Sequence, residues 1–274
     1  MKLLISKIIR SLGRRAAIES VKTICNICGE KSIFYSWEPV DSPCKRNSFY
    51  CKKCKSISRS RHIVKVILEL FPTFPKQDSL CDFSKVTDIK ILHTCASGAI
   101  HEHLKSYKNY TVSEYYDFVT SGEIVKGILC EDLTNTSFED NMFDLIITED
   151  VVEHISDPVK AFNEIKRILN PGGYHISTIP VFFDKLNSET RAKVKDGKVI
   201  HILPPDYHGD PNRPDGALVY NDFGVDIVEK YCSIIGNTVV YASNNTDDEQ
   251  KHAIYNNWVY VSRKDNYYSN ITQN

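Results

Sequence analysis

The sequence lacks an uninterrupted apolar run of about 18 residues, the minimum length of a membrane-spanning helix. It also lacks net charge of either sign, because 34 lysines and arginines balance 35 aspartates and glutamates to give a formal charge of −1. A chain without an overall basic field does not hold a long nucleic acid by counterion release alone, so nucleic acid is the less favoured partner. The remaining composition, 42% hydrophobic and 25% charged residues, is typical of a folded protein.

A secretion signal is not evident in the basic, amphipathic N-terminal segment. Its apolar stretch is interrupted by Lys7 and followed by arginines instead of a small-residue cleavage site. In a helix, Leu4 and Ile8 share one face while Lys7 and Arg10 lie opposite. This pattern fits either a helix at a membrane surface or a helix docked on its own domain. We therefore expect a cytoplasmic protein, with peripheral membrane contact through residues 1–15 as an open alternative.

The nine cysteines do not resemble a secreted disulfide framework. Four of them form two C-x2-C pairs separated by 22 residues, Cys25 with Cys28 and Cys51 with Cys54. Two such pairs complete the closed tetrahedral thiolate shell of structural Zn²⁺. The sequence therefore predicts a zinc site with these four ligands, and paired disulfides or redox thiols are the alternative. Cys44 is a spare thiol. The basic run 52–62 has two interpretations. It either binds phosphate groups or an acidic partner, or it is a solvated face.

Beyond the cysteines, strand and helix signals alternate from about residue 89 to residue 262, as in a parallel sheet covered by helices. The clearest strand is 143–148, and an amphipathic helix at about 158–170 follows it before Pro-Gly-Gly. The sequence predicts an α/β fold with a Rossmann-like, doubly wound, mostly parallel sheet and a small zinc-ribbon-like N-terminal module. The ligand of such a sheet lies at the carboxyl ends of its strands.

These signals divide the chain into five parts. They are a basic amphipathic segment (1–19), a zinc-binding module (20–70), a Pro-containing linker (71–88), an α/β domain (89–264) with an insertion (180–219), and a polar tail (265–274).

Several motifs of the α/β region occur together in one known family. They are Asp132, the run F-E-D-N-M-F-D at 138–144, the pair Glu153-His154 and the run L-N-P-G-G at 169–173. With these motifs the chain resembles class I S-adenosylmethionine-dependent methyltransferases of the type 11 group. The cysteine module, the run C-K-S-I-S-R-S-R-H at 54–62 and the run L-P-P-D-Y-H-G-D-P at 203–211 resemble a bacterial subgroup associated with surface-polysaccharide biosynthesis. The resemblance implies S-adenosylmethionine as cofactor and a glycan-related acceptor.

The resemblance also implies the positions that meet the cofactor. They are Thr94, Cys95, Ala96, Gly98, Glu114, Asp132, Thr148, Glu149 and Asp150. Glu114 would accept hydrogen bonds from the ribose hydroxyls, and Asp132, with Glu131 as the alternative, from the adenine amino group. Glu149 or Asp150 would meet the ammonium group of the methionine part. The loop before Gly98 departs from the family's glycine-rich turn, because Gly98 is its single glycine.

Methyl transfer from a sulfonium is an in-line displacement, in which the protein aligns nucleophile, methyl carbon and sulfur. A hydroxyl acceptor must also lose its proton, and histidine titrates nearest neutrality. His154, which follows the fourth strand, and His208, in the insertion, are the candidate bases. His201 is a further alternative, with Asp206 as an orienting carboxylate. The insertion 180–219 is long enough to cover the acceptor as a lid.

The sequence therefore favours an O-methyltransferase, ahead of an N-methyltransferase, acting on a saccharide or other small polar acceptor. A second hypothesis is a noncatalytic zinc-containing binding protein with a methyltransferase-like domain. A third is an RNA or protein methyltransferase that uses the basic zinc module as a clamp.

Overall fold

The computed structural model describes residues 17–38, 42–210, 212–243, 247–255 and 257–265. The predictions for residues 1–15, for the side chain of Cys44 and for the tail beyond residue 265 lie outside the described residues.

The N-terminal module is a three-stranded antiparallel sheet. Its strands are β1 (Glu19–Ile24), β2 (Lys31–Ser36) and β3 (Tyr50–Cys51), in that order. A 3-10 helix at Pro43–Asn47 lies between the second and third strands, and helix α1 (Ser58–Leu70) follows.

The main sheet has eight strands. They are β4 (Ile91–His93), β5 (Tyr110–Glu114), β6 (Ile124–Val125), β7 (Ile128–Cys130), β8 (Phe143–Glu149), β9 (Leu169–Thr178), β16 (Gly236–Ala242) and β17 (Trp258–Lys264). Their spatial order is β16-β17-β9-β8-β4-β5-β7-β6. The five strands from β9 to β7 are mutually parallel, and β16, β17 and β6 pair antiparallel with their neighbours. The predicted Rossmann-like, mostly parallel α/β fold is confirmed.

The remaining elements are helices around this sheet and short strands of the insertion. The helices are α2 (Leu80–Val86), α3 (Gly98–Leu104), α4 (Pro158–Ile168), α5 (Ile227–Lys230) and α6 (Asp247–Lys251), with 3-10 turns at Val152–His154 and Cys232–Ile234. The short strands are β10 (Glu189–Thr190), β11 (Ala192–Lys195), β12 (Lys198–His201), β13 (Tyr207–His208), β14 (Ala217–Leu218) and β15 (Asn221–Asp222).

The central strand β8 is buried on both sides, as its continuous apolar run predicts. Leu145 and Ile147 belong to the core shared with the cysteine module, whereas Ile146 belongs to the core beneath α4. This alternation follows from the two-residue period of a strand. Glu149, two residues after Ile147, therefore ends the strand on the side of the cysteine module.

Helix α4 begins and ends where its sequence allows. Asp157 caps its first turn by accepting a hydrogen bond from the backbone of Lys160 at 3.0 Å, and Pro158 occupies the first helical position. The helix ends at Ile168, two residues earlier than expected, and the Pro-Gly-Gly run already belongs to β9. A Cβ at Gly173 would lie 2.9 Å from the carbonyl oxygen of Asn170, so the turn requires glycine there.

The stretch 71–88 is not the plain linker that we expected. It contains α2, with Leu80 and Phe83 fully buried in the core that the cysteine module shares with the sheet. The backbone of Leu80 donates to the carbonyl of Asn26 at 2.8 Å, which ties this helix to the cysteine module. The module and the sheet are therefore packed as one body through α1 and α2.

Residues 222–234 do not form one continuous helix. The structure has β15, then the four-residue α5, then a 3-10 turn at Cys232–Ile234. Gly224 packs so closely that an added Cβ would lie 2.7 Å from the backbone of Asn187. Close packing of Gly224 against Asn187 of the insertion therefore takes the place of a helical turn at this position.

Among the residues that the structure describes, no helix is both long enough and apolar enough to cross a membrane.

Candidate functional site

The four paired cysteines converge on one point of the N-terminal module. Their sulfur atoms all lie within 4.8 Å of one another, and the sulfurs of Cys25 and Cys54 are 3.7 Å apart. A disulfide would require about 2.05 Å. Four sulfurs at about 2.3 Å from a shared tetrahedral ion would be about 3.8 Å apart. We call this group the cysteine cluster, and its spacing fits a tetrahedral metal ion.

Each C-x2-C pair is held by a tight turn. The amide of Gly29 donates to the carbonyl of Cys25 at 2.8 Å, and the amide of Lys55 donates to that of Cys51 at 2.9 Å. Gly29 and Lys55 both have positive φ, at 75° and 64°. These turns aim both sulfurs of each pair at the same point.

A buried arginine joins the N-terminal module to the segment that precedes β17. The Arg61 guanidinium is fully buried and lies 4.6 Å from the Phe34 ring. It donates to the backbone carbonyls of Phe49 and Ala253 at 2.8 Å and of His252 at 2.7 Å. Burial lowers the pKa of Arg61 to about 10, and the charge of nearby cysteines opposes this shift. Arg61, from the basic run 52–62, is therefore an internal brace and not part of a solvated face.

The loop after β4 is braced by the acidic residue at the end of β5. The backbone amide of Ala96 donates to Oε1 of Glu114 at 2.8 Å. Burial raises the pKa of Glu114, and this hydrogen bond opposes the shift. Gly98, with φ of 81°, has open space where a Cβ would stand. The parallel strands thus present the loop 94–98 and Glu114 at one edge, which we call the carboxyl edge.

The two acidic residues that follow β7 have different roles. Glu131 is 3% exposed, and its carboxylate accepts from the backbone and hydroxyl of Ser137. Asp132 is half-buried, and one of its oxygens accepts from the amide of Thr134 at 2.8 Å. Glu131 is occupied in a local turn, so Asp132 remains the better candidate for an adenine contact.

Two arginines reach the tip of β8. Arg46 holds Asp150 through two hydrogen bonds of 2.8 and 2.9 Å. Arg59, in the first turn of α1, also pairs with Asp150 and lies 3.8 Å from Glu149. Its Nε is buried and has no hydrogen-bond partner among the described residues. The cysteine module therefore supplies positive charge to the carboxyl edge.

Glu149 is also held from two sides. One oxygen lies 3.2 Å from Nε2 of the buried His93, and the other accepts from the hydroxyl of Ser60 at 3.0 Å. Burial raises the pKa of Glu149, but His93 and Arg59 outweigh it and keep the pKa below its ordinary value. Glu149 is therefore ionised and engaged within the protein.

A second cluster lies just beyond β8. It consists of Glu153, His154 and His208, whose ligand atoms all lie within 4.8 Å of one another, and we call it the Glu153 cluster. Glu153 is 1% exposed. The two histidine rings are 5.1 Å apart and perpendicular. Glu153 raises the pKa of His208. The two predicted base candidates are thus brought together by Glu153, which belongs to one of the sequence motifs but had no predicted role.

The insertion closes over the carboxyl edge at more than one point. Arg213 forms an ion pair with Asp117 at 3.0 Å and lies 5.5 Å from the ring centre of Tyr115, both just after β5. His208, also in the insertion, lies beside Glu153 and His154 in the Glu153 cluster. His201 instead is an exposed residue of the β11–β12 hairpin and is not part of that cluster.

Comparison with known proteins identifies the part of the chain that carries this edge. Residues 94–177 match the family model described as a methyltransferase domain. Over these residues the chain is similar to methyltransferase domains. The matched residues run from the loop after β4 to the end of β9, and so contain Glu114, Asp132 and Glu153.

Curated relatives match only parts of the chain. An uncharacterized methyltransferase of Schizosaccharomyces pombe is 51% identical over 37 residues, 14% of this chain and 13% of the relative. An uncharacterized protein of Methanocaldococcus jannaschii is 27% identical over 143 residues, 52% of this chain and 57% of the relative. The chain thus spans less than two thirds of either relative.

Solved structures that are similar include two S-adenosylmethionine-dependent methyltransferases. The one from Mesorhizobium loti has a TM-score of 0.41 and 12% identity, covering 73% of this chain and 97% of its own. The one from Methanosarcina mazei has a TM-score of 0.36 and 16% identity, covering 65% and 93%. At these values neither structure bears on the chemistry of this chain.

One expected cofactor residue lies away from the carboxyl edge. Thr148 is fully buried, and its hydroxyl lies 3.0 Å from Nε2 of His175 inside the core. Its side chain points to the face of β8 opposite to that of Glu149, and a cofactor contact by Thr148 stays a prediction. Glu149 and Asp150 lie at the edge, but their carboxylates are paired with His93 and the two arginines, so we revise the direct ammonium contact.

Proposed function

We propose that the protein uses S-adenosylmethionine to O-methylate a saccharide or another small polar acceptor. The observation that carries this proposal is the Glu153 cluster, because it places titratable groups beside the carboxyl edge and beneath the insertion. The edge would hold the cofactor, and the insertion would cover the acceptor. The cluster is where an acceptor hydroxyl would lose its proton.

For the cofactor, Glu114 and Asp132 are the proposed acceptors for the ribose and the adenine amino group. The loop 94–98 would approach the methionine part, as its small residues allow. We no longer propose that the ammonium group of the methionine part lies at Glu149 or Asp150. There it would meet the guanidinium groups of Arg46 and Arg59. The positive charges of Arg46 and Arg59 instead favour the cofactor's carboxylate at that end.

For the cysteine cluster, we propose a structural Zn²⁺ ion held by all four sulfurs. A closed set of four thiolates leaves no open coordination position, so the ion would not take part in methyl transfer. Its contribution would be to fold the module that carries Arg46, Arg59 and Ser60. The fully buried Arg61 would offset the negative charge of a four-thiolate site.

Two arginines of the basic run 52–62 have internal roles and would not serve a nucleic-acid clamp, whereas Lys52, Lys53 and Lys55 are exposed. Arg59 and Arg61 both point into the protein, where they hold Asp150 and backbone carbonyls. Side chains engaged in this way are not available to phosphates.

The proposal is tested by incubating zinc-replete protein with S-adenosylmethionine and a panel of saccharides, RNA and peptides, and analysing the products by mass spectrometry. We expect a saccharide or small polar product that gains one methyl group on oxygen. The matched control is Asp132→Ala, which should form the product about tenfold more slowly at low cofactor concentration, as the loss of one hydrogen bond predicts. Methylation of RNA or peptide alone would contradict the proposed acceptor. Cofactor binding with no methylated product would favour the noncatalytic hypothesis.

A further inference from the structure

Glu153 carries a buried negative charge that the proposed cofactor site does not neutralise. Its side chain is 1% exposed, and neither carboxylate oxygen has a hydrogen-bond partner among the described residues. Burial of an unpaired carboxylate costs several kcal/mol, so a positive charge must lie close to it. The neighbouring guanidinium groups are aimed at Asp150 instead.

His154 faces this carboxylate with its Nε2 atom, the ring nitrogen that carries a lone pair. Its Nδ1 lies 2.8 Å from the carbonyl oxygen of Leu218, and because a carbonyl only accepts, Nδ1 carries the hydrogen. In the neutral ring Nε2 is then unprotonated, and it lies 3.7 Å from Oε1 of Glu153. Histidines that bind metals commonly donate their second ring N–H in this way, which fixes the tautomer.

His208, the third residue of the Glu153 cluster, approaches the same carboxylate oxygen. Its Nδ1 also lies 3.7 Å from Oε1 of Glu153, and its side chain is 42% exposed. A separation of 3.7 Å is too long for a hydrogen bond, whose usual upper limit is about 3.2 Å. If this nitrogen and Oε1 each lay about 2.1 Å from one cation, with an angle of about 120° at the cation, they would be separated by this distance.

We propose that Glu153, His154 and His208 bind one divalent transition-metal cation on the acceptor side of the methyltransferase domain. Two imidazoles and one carboxylate suit Zn²⁺, Fe²⁺, Co²⁺ or Ni²⁺ better than Mg²⁺ or Ca²⁺, which prefer oxygen ligands. Three protein ligands leave at least one position open. The exposed side of His208 gives that position access from solvent.

The role of the cation rests on the proposed function, whereas its binding does not. An acceptor hydroxyl oxygen bound at the open position would lose its proton to water, because the cation stabilises the alkoxide. That oxygen then forms the new bond to the methyl carbon while the bond from carbon to sulfur breaks. The electron pair of the broken bond stays on sulfur, which becomes neutral.

The test is a Co²⁺ titration of protein whose cysteine cluster is already filled with Zn²⁺, followed by metal analysis of each sample. We expect about one Co²⁺ per chain in addition to the zinc. Its visible spectrum should show weak bands of nitrogen and oxygen ligands and no intense sulfur-to-cobalt band.

Three variants make the assignment specific. Glu153→Gln and His208→Ala should each weaken Co²⁺ binding by about tenfold or more and leave the zinc in place, since even outer-shell changes cost about 10–100-fold. His208 is half-exposed, so its replacement does not endanger folding. His201→Ala, a histidine of the same insertion outside the cluster, should bind Co²⁺ as the wild type does.

Two results would overturn the inference: wild-type protein that binds no Co²⁺ beyond the cysteine cluster, or Glu153→Gln protein that binds it with unchanged affinity. Because the titration contains no S-adenosylmethionine, its outcome is independent of turnover. Co²⁺ binding in a protein that methylates nothing would sink the proposed function and leave the cation site standing.

Discussion

Replacing Cys25 with serine is expected to abolish zinc binding and to unfold the N-terminal module. Structural zinc contributes roughly 10–16 kcal/mol of apparent binding free energy in small modules, and the loss of one thiolate opens its shell. The damage should spread, because α1 and α2 share one core with the main sheet. We expect a zinc content near zero and a lowering of the melting temperature of about 10 °C or more.

The control for this prediction is Cys81→Ser, which removes a thiol outside the cysteine cluster. That variant should keep its zinc, measured by elemental analysis, and should melt close to the wild type. Equal zinc content and equal melting temperatures for the two variants would show that the four cysteines do not form the proposed metal site.

Replacing Arg61 with methionine is expected to destabilise the protein by about 3–5 kcal/mol, a cost typical of breaking a buried polar network. Methionine fills much of the volume but leaves the carbonyls of Phe49, His252 and Ala253 without their donor. Arg61→Lys keeps the charge and should still lose most of this free energy, because an ammonium group cannot reproduce the planar fork of donors.

The measurement is the unfolding midpoint in urea, with zinc present throughout. Arg263→Met is the matched control, since Arg263 is exposed on β17 and should change stability by less than about 0.5 kcal/mol. If Arg61→Met unfolds at the same urea concentration as Arg263→Met, Arg61 does not brace the module against the sheet.

Features with a strong local signal could be predicted from the sequence. The apolar run of β8, the capped helix α4 and the two C-x2-C pairs each carry a pattern that depends on few neighbours. The family resemblance implied the positions of Glu114 and Asp132, and the structure puts Glu114 at the end of β5 and Asp132 just after the neighbouring β7. Their contact with the cofactor stays a prediction.

Features that depend on packing between distant segments could not be predicted. Nothing in the basic run 52–62 indicates that Arg59 turns toward Asp150 and Arg61 toward residues 252 and 253, because inward and outward arginines look alike in sequence. The burial of the Thr148 side chain beside His175 could not be predicted either, since it depends on which face of β8 each residue takes. Glu153 was part of a recognised motif, but its proximity to His208 could not be predicted because the two residues are 55 positions apart.

The measurement that tests the account most directly is a calorimetric titration of zinc-replete protein with S-adenosylmethionine and its demethylated product. We expect micromolar binding by the wild type and affinity about tenfold lower in Asp132→Ala, as the loss of one hydrogen bond at the adenine predicts. Circular dichroism should show that this variant is folded. No binding by the wild type, or equal affinity in the two proteins, would contradict a cofactor site at the carboxyl edge.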